Sequence, residues 1–246
     1  AVAFSPEGDA VYAAGGEAGI VGEVKRWKTS DGTLQQSFEG HLDAAYALAV
    51  SPDGKLIATG AYDQKIRLWD TATGKELALL KGHNGAVNGL SFRPDGKVLA
   101  SASADRTVKL WSIPTGQRLD TLSQPTKEQT SVVFSADGKT LFAAGGDNRI
   151  RVWAISAAAK EGTNKILTSR FAHEGGLLNL ALSADGKLLA STATDKTLKL
   201  WNTVGLTEKL LLEKQPDWSS ALAFTDKAQL IAGRVDGTWS VYELAQ

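Results

Sequence analysis

The 246-residue chain has no cysteine and no methionine, only three histidines and six prolines, and no excess of either charge, with 27 basic against 27 acidic side chains. Each shortage removes a class of function. Without cysteine there is no disulfide framework, thiolate zinc site, iron–sulfur cluster or cysteine nucleophile. The redox compartment therefore leaves no mark, and cytoplasm and periplasm fit equally well. Balanced charge lacks the basic face on which phosphate-backbone recognition depends, so nucleic acid is not an expected partner. No apolar run approaches the roughly 18–20 residues that a membrane-spanning helix needs, and the opening AVAFSPEGD carries no signal-peptide pattern. The expectation is a soluble globular protein that inserts into no membrane. It begins without methionine, inside a strand-like segment, and so reads as trimmed from a longer parent.

What the chain has in plenty is repetition. A turn of the type small–Pro/Ala–acid–Gly recurs as SPEG at Ser5, SPDG at Ser51, RPDG at Arg93, SADG at Ser135 and SADG at Ser183, with a degraded copy, TDKA, at Thr225. The starts are 46, 42, 42, 48 and 42 residues apart, and an aromatic follows each at Trp27, Trp69, Trp111, Trp153, Trp201 and Tyr242. The period is therefore about 42. Two insertions, within Gly16–Gly22 and around Ala157–Asn164, are expected to form surface loops. Within the third unit, GAVNGLSF, KVLASAS, TVKLWSI and QRLDTL read as four short strands separated by turn residues, with no helical period. A lone four-stranded sheet cannot bury both faces. The units must stack as the blades of one β-propeller, an all-β domain covering residues 1–246. Six units are visible and the last holds only three strands.

Gly40-His41, Gly82-His83 and the run YDQKIRLWD from Tyr62 to Asp70 resemble the WD-repeat β-propeller family, and the likeness extends over essentially the whole chain. It implies a ring closed by a strand borrowed from the other terminus, and a parent of seven blades, the commoner number in the family. The SPDGK and TGK turns are similar to those of bacterial WD-repeat segments, some attached to c-type cytochrome modules, although no haem motif occurs here.

The three histidines are the natural starting point for an enzyme or metal-site reading, but each stands in the same frame. His41, Thr59, Asp63 and Trp69 are spaced 18, 4 and 6 residues apart, and so are His83, Ser101, Asp105, Trp111 and His173, Ser191, Asp195, Trp201. One frame repeated three times argues for one structural job. The family resemblance implies a chain from Trp to hydroxyl to imidazole to carboxylate, which suits the donor and acceptor capacities of those groups. In the fourth and sixth units Gly-His becomes Gln124-Pro125 and Gln215-Pro216, while the hydroxyl becomes Ala143 and Ala232. Histidine and hydroxyl vanish together, as expected when half a network would strand a buried polar group. A catalytic triad would need an exposed nucleophile and an oxyanion hole in one place, and three imidazoles on three blades do not converge on a metal. No cofactor, metal or catalytic residue is expected.

Basic residues two places before the aromatic, Lys25, Arg67, Lys109, Arg151 and Lys199, are expected to be a solvated flank, with stems on apolar surface and heads in water. The resemblance places partner contacts on the narrow face, where Tyr46 and Tyr62 of the second unit, Asn88 of the third and Trp218 of the sixth are candidates. Large aromatics there have no evident structural need and match the residue types of binding hot spots. The expected function is a non-catalytic scaffold for a protein or peptide. The alternative is a small-molecule binder or enzyme using the central channel, which would require convergent polar groups.

Overall fold

A computed structural model describes residues 1–113, 115–212, 214–225 and 229–244. The TDKA turn falls largely on residues 226–228, outside the described residues. Among the described residues there is no helix, and 23 strands form six sheets. Blade 1 comprises β1 to β4 (Val2–Phe4, Ala10–Glu17, Val21–Lys28, Leu34–His41), and blade 2 comprises β5 to β8 (Ala45–Val50, Leu56–Ala61, Ile66–Asp70, Glu76–Leu80). Blade 3 holds β9 to β12 (Val87–Phe92, Val98–Ser103, Val108–Ser112, Arg118–Leu122), and blade 4 holds β13 to β16 (Gln129–Phe134, Thr140–Gly145, Arg149–Ala154, Lys165–Phe171). Blade 5 is β17 to β20 (Leu177–Leu182, Leu188–Ala193, Leu198–Asn202, Thr207–Leu212), and blade 6 is β21 to β23 (Ser219–Phe224, Gln229–Arg234, Trp239–Glu243). Every blade is an antiparallel meander with its first strand innermost, which makes the fold a six-bladed β-propeller whose last blade has three strands.

The repeated turn joins the first and second strands. Its glycine adopts φ near +70° (Gly54 69°, Gly96 70°), a conformation that other residues reach only at a cost. In blade 2, Ser51 Oγ donates to Asp53 Oδ1 at 2.6 Å, and Lys55 N donates to the same oxygen. That pairing explains why a hydroxyl and an acid keep their spacing in the turn.

Apolar residues pack between blades rather than within them. Five inter-blade cores serve the six blades: around Phe38 and Trp69, around Leu68 and Trp111, around Leu110 and Trp153, around Phe142 and Trp201, and around Leu200 and Leu230. Among the described residues no such core joins blades 1 and 6. Their facing sides stay exposed, with Val2 67%, Phe4 63% and Trp239 67% accessible.

The two insertions behave differently. The first lengthens the β2–β3 hairpin and leaves Ile20 exposed at its tip, with Gly19 N donating to Asp43 Oδ1 at 2.7 Å. The second, expected as a surface loop, is docked. Ala159 is fully buried in the core between blades 3 and 4, Asn164 Nδ2 donates to Asp120 Oδ2 at 2.7 Å, and Glu161 N donates to Leu119 O. Arg93, which stands where other turns have serine, reaches the carbonyls of Ser156 and Ala157 through Nη1. The insertion is a strap from blade 4 onto blade 3.

Candidate functional site

Three constellations define the end of the propeller where each first strand begins: the histidine networks, their substitutes, and the exposed residues around them. In blade 2, Trp69 Nε1 donates to Thr59 Oγ1 at 2.8 Å, Thr59 Oγ1 lies 2.8 Å from His41 Nε2, and His41 Nδ1 lies 3.1 Å from Asp63 Oδ2. Blade 3 repeats this with Trp111 to Ser101 at 2.8 Å, Ser101 to His83 Nε2 at 2.7 Å and His83 Nδ1 to Asp105 at 2.7 Å. Indole is only a donor, so the hydroxyl accepts from it and gives its own proton to Nε2, leaving the hydrogen on Nδ1 for the carboxylate. The same aspartate accepts from the loop backbone, Leu42 N in blade 2 and Asn84 N in blade 3. The network thereby ties the entry loop of each blade to its inner strands. The next residue, Gln64 or Arg106, is left-handed (φ 68° and 70°) although neither is glycine.

Blade 5 departs from the expected direct contact. Trp201 and Ser191 hold their places at 2.8 and 2.7 Å, but His173 Nδ1 lies 2.6 Å from Thr197 Oγ1 and 3.8 Å from Asp195 Oδ1. Thr197 passes its own proton to Asp195 at 2.6 Å. The hydroxyl is interposed in the chain, an arrangement unavailable to blade 2, where Lys65 occupies that place.

The electrostatics follow from burial. Desolvation pushes the His83 imidazole below its usual value in spite of Asp105, and pushes His173 down to about 4. For Asp63, Asp105 and Asp195 burial is the largest single influence and opposes ionisation. Hydrogen bonds from His41, His83 and Thr197 respectively, with added loop N–H donors, together outweigh it and hold all three below the usual carboxylate range. In blades 3 and 5 the resting state is therefore neutral imidazole with ionised carboxylate.

The blades without histidine use other chemistry. In blade 4, Trp153 Nε1 donates to Gln124 Oε1 at 3.2 Å, and Asp147 still accepts from Thr126 N at 3.0 Å. Arg151 Nη1 lies 2.7 Å from Asp147 Oδ2, with both side chains at most 5% exposed, but off the hydrogen-bonding direction, so charge holds the pair. In blade 6, Tyr242 Oη and Arg234 Nη2 both donate to Gln215 Oε1 at 2.8 Å. The expected solvated flank is corrected here. Lys109 and Arg151 are buried, Lys109 donating to Thr121 on the outer strand and Arg151 turned to the buried Asp147, whereas Arg67 and Lys199 reach the exposed-edge acids Glu76 and Glu208.

The partner candidates occupy distinct settings. Tyr46 (47% exposed) and Tyr62 (59%) meet edge to face with ring centroids 6.3 Å apart. Leu42, 67% exposed, lies beside them on the loop whose Ala44 O accepts from Tyr62 N. The repeat marks the Ile20 hairpin only as an insertion and does not mark the Leu42 loop, because neither position carries a motif residue. Trp218 is 45% exposed and donates Nε1–H to Thr194 O of the neighbouring blade at 2.9 Å, so it does not fill the place of the missing histidine. Asn88 is half-buried and donates to Gln129 O at 3.0 Å, joining blade 3 to blade 4. Tyr46 and Asn88 occupy the same bulged position of successive blades, which Thr130 fills in blade 4 by donating to Leu177 O at 2.8 Å. Tyr46 is thus a large aromatic where two other blades place a small polar stitch.

Around the axis the innermost strands enclose a channel of about 680 Å³. Its lining includes Leu48, Leu90, Val132, Leu180 and Leu222, and among the described residues no aspartate, glutamate, lysine, arginine or histidine side chain.

The whole chain, residues 1–246, matches the family model described as IFT122 first beta-propeller. A 65-residue stretch is 38% identical to the intraflagellar transport protein 122 homolog of Homo sapiens, 40% to that of Mus musculus and 38% to that of Danio rerio. The stretch is 26% of this chain and 5% of each of those proteins. These relatives are vertebrate, and the expected bacterial character of the turns finds no support among them. The chain belongs to the IFT122 first beta-propeller family.

Proposed function

We propose that this domain is a non-catalytic protein-interaction scaffold whose contact surface is the loop-rich rim at blades 1, 2 and 6. The observation that carries the reading is the exposed group Ile20, Leu42, Tyr46 and Tyr62, which presents apolar area and two phenol hydroxyls without a packing role. Residues of this kind dominate interface energies. Trp218, together with the 62%-exposed Val235, extends the surface onto blade 6. Asn88 contributes at the channel rim through its carbonyl oxygen, its amide nitrogen being engaged. The histidine frames (His41 to Trp69, His83 to Trp111, His173 to Trp201) hold the loops that carry this surface and take no part in chemistry. A channel whose described lining offers no carboxylate, imidazole, lysine or arginine gives acid–base catalysis little beyond the Tyr46 phenol to work with, which supports the binding reading over the enzymatic one. The relatives bear the name of intraflagellar transport proteins and are far longer than the matched stretch, which supports a module acting inside a larger transport protein that binds other proteins.

The test is capture of partners from a lysate of the source organism on immobilised domain. Alanine at Tyr46, Tyr62 or Trp218 should weaken capture by at least about 1 kcal/mol at one of them with the melting transition unchanged. Leu77 and Leu167, exposed on outer strands β8 and β16, are the controls. Loss of capture on changing those residues, with the aromatic variants intact, would move the interface to the blade sides and end the proposal.

A further inference from the structure

The sequence holds six asparagines, and two of them, Asn84 and Asn88, precede glycine. Five have a side-chain hydrogen bond: Asn88 to Gln129 O, Asn148 to Glu174 O, Asn164 to Asp120, Asn179 to Ser220 O and Asn202 to Thr207. Asn84 has none among the described residues and is exposed on the loop into blade 3. The N–H of the following Gly85 likewise donates to nothing described, whereas its counterpart in blade 5, Gly175 N, is held by Asp195 Oδ2 at 3.2 Å. The nucleophile and electrophile of one reaction thus stand free side by side.

We propose that Asn84 is a spontaneous deamidation site of the folded protein and that Asn88, four residues away with the same following residue, is protected. Gly85 N attacks Asn84 Cγ and the side-chain nitrogen leaves as ammonia, closing a succinimide. Water then opens the ring to aspartate or isoaspartate, with no change of oxidation state. Glycine favours the attack because no Cβ shields its nitrogen. Asn88 resists because its amide is bonded to the next blade and its backbone is fixed in strand β9, so closing the ring there requires local opening of two blades. The product places a new carboxylate one residue from His83, on the loop whose Asn84 N is held by Asp105 Oδ2. Isoaspartate also lengthens the backbone of that loop. The modification would therefore act on the rim that presents the proposed contact surface, but it does not depend on any partner.

The experiment is incubation of the whole domain at mildly alkaline pH and 37 °C, followed by peptide mass spectrometry with fragment sequencing across Gly82–Lys97 and an isoaspartate-specific methyltransferase assay. Folded protein should accumulate the mass increase of amide-to-acid conversion at Asn84 at least about tenfold faster than at Asn88. The same chain held unfolded in urea should convert both at similar rates. Asn84→Gln should abolish the first-formed acidic species. Equal rates at the two sites in folded protein, or an intact Asn84 while the unfolded chain converts, would overturn the proposal.

Discussion

Blades 2, 3 and 5 fasten their entry loops through a histidine, and blades 4 and 6 do the same work with glutamine and arginine. In blade 3 the tryptophan donates to a serine on β10, and a ring of modest size carries the pattern out to Asp105. In blade 4 the tryptophan donates to Gln124, one residue before the histidine position, and Asp147 is neutralised by Arg151. The loop backbone meets the aspartate in both, through Asn84 N and Thr126 N. What blades 3 and 4 share is a carboxylate accepting from the loop, and the rest is whatever satisfies it; in blade 6 the corresponding Asp236 is exposed and accepts from Thr238. The blade 3 version sets a ring with a lowered pKa against its carboxylate, whereas the blade 4 version buries a second full charge.

That difference sets the size of the expected effects. Arg151→Ala should be the most damaging single change, costing about 3–5 kcal/mol in urea unfolding, because it leaves Asp147 buried and unpaired. Removing Asp147 as well should recover part of the loss, and a cost below that of any histidine variant would break the comparison.

The next effect is the pH response. His173, held near 4 in the folded state, ionises near 6.5 when unfolded. Between those values the unfolded chain binds the proton and the folded chain does not, so stability is full above about pH 6.5 and falls toward pH 4, by about 2–3 kcal/mol. His83 adds in the same direction. Below the usual carboxylate range a second loss begins, since Asp63 and Asp195, depressed in the folded state, stabilise it only while ionised. Urea midpoints measured across pH should show the first segment flattened in His173→Gln, and an unchanged slope would refute the assignment.

His83→Ala should cost about 1–3 kcal/mol by stranding Ser101 and Asp105. Adding Ser101→Ala should cost less than the two single changes together, because blade 4 already tolerates Ala143 at that position. Strict additivity in the double-mutant cycle would mean that the groups do not act as a chain. The smallest effects belong to Tyr46→Ala and Tyr62→Ala, each within about 0.5 kcal/mol of the parent in thermal melts. Larger losses would show that these rings hold the blade and are not free for a partner.

Much of this was legible in the sequence. The turn glycines and aromatics gave the blade period, since a turn and a packed indole each demand a residue type at a fixed place. The frames at His41 and His83 are readable because four side chains of complementary donor and acceptor capacity recur at one spacing. Thr197 was not readable as an intermediary, because whether a hydroxyl falls between imidazole and carboxylate depends on a rotation that spacing does not encode. Gln124 reads in the sequence only as half of the Gln124-Pro125 pair that replaces Gly-His, since replacing histidine from a neighbouring position breaks the register on which the pattern rests. The burial of Lys109 and Arg151 is illegible for a related reason, as alternation along a strand says nothing about whether a basic head finds Thr121 on the outer strand or Asp147 beside the turn. The strap at Ala157–Asn164 is a surface loop as expected, but its docking on blade 3 is illegible because the residue it buries, Ala159, is small and unremarkable in sequence.

That strap has a mechanical consequence. All five interfaces between successive blades rest mainly on apolar contact that yields when one plate slides on the next, but between blades 3 and 4 the polypeptide also crosses over and is clamped by Arg93 and Asp120. The molecule is a fan with one riveted joint. Pulled from its two ends, it would shed plates from the sides where blades 1 and 6 stand unsupported, and the riveted pair would be the last to part. Backbone amides around Asp120 and Ala159 should accordingly be among the slowest to exchange with solvent.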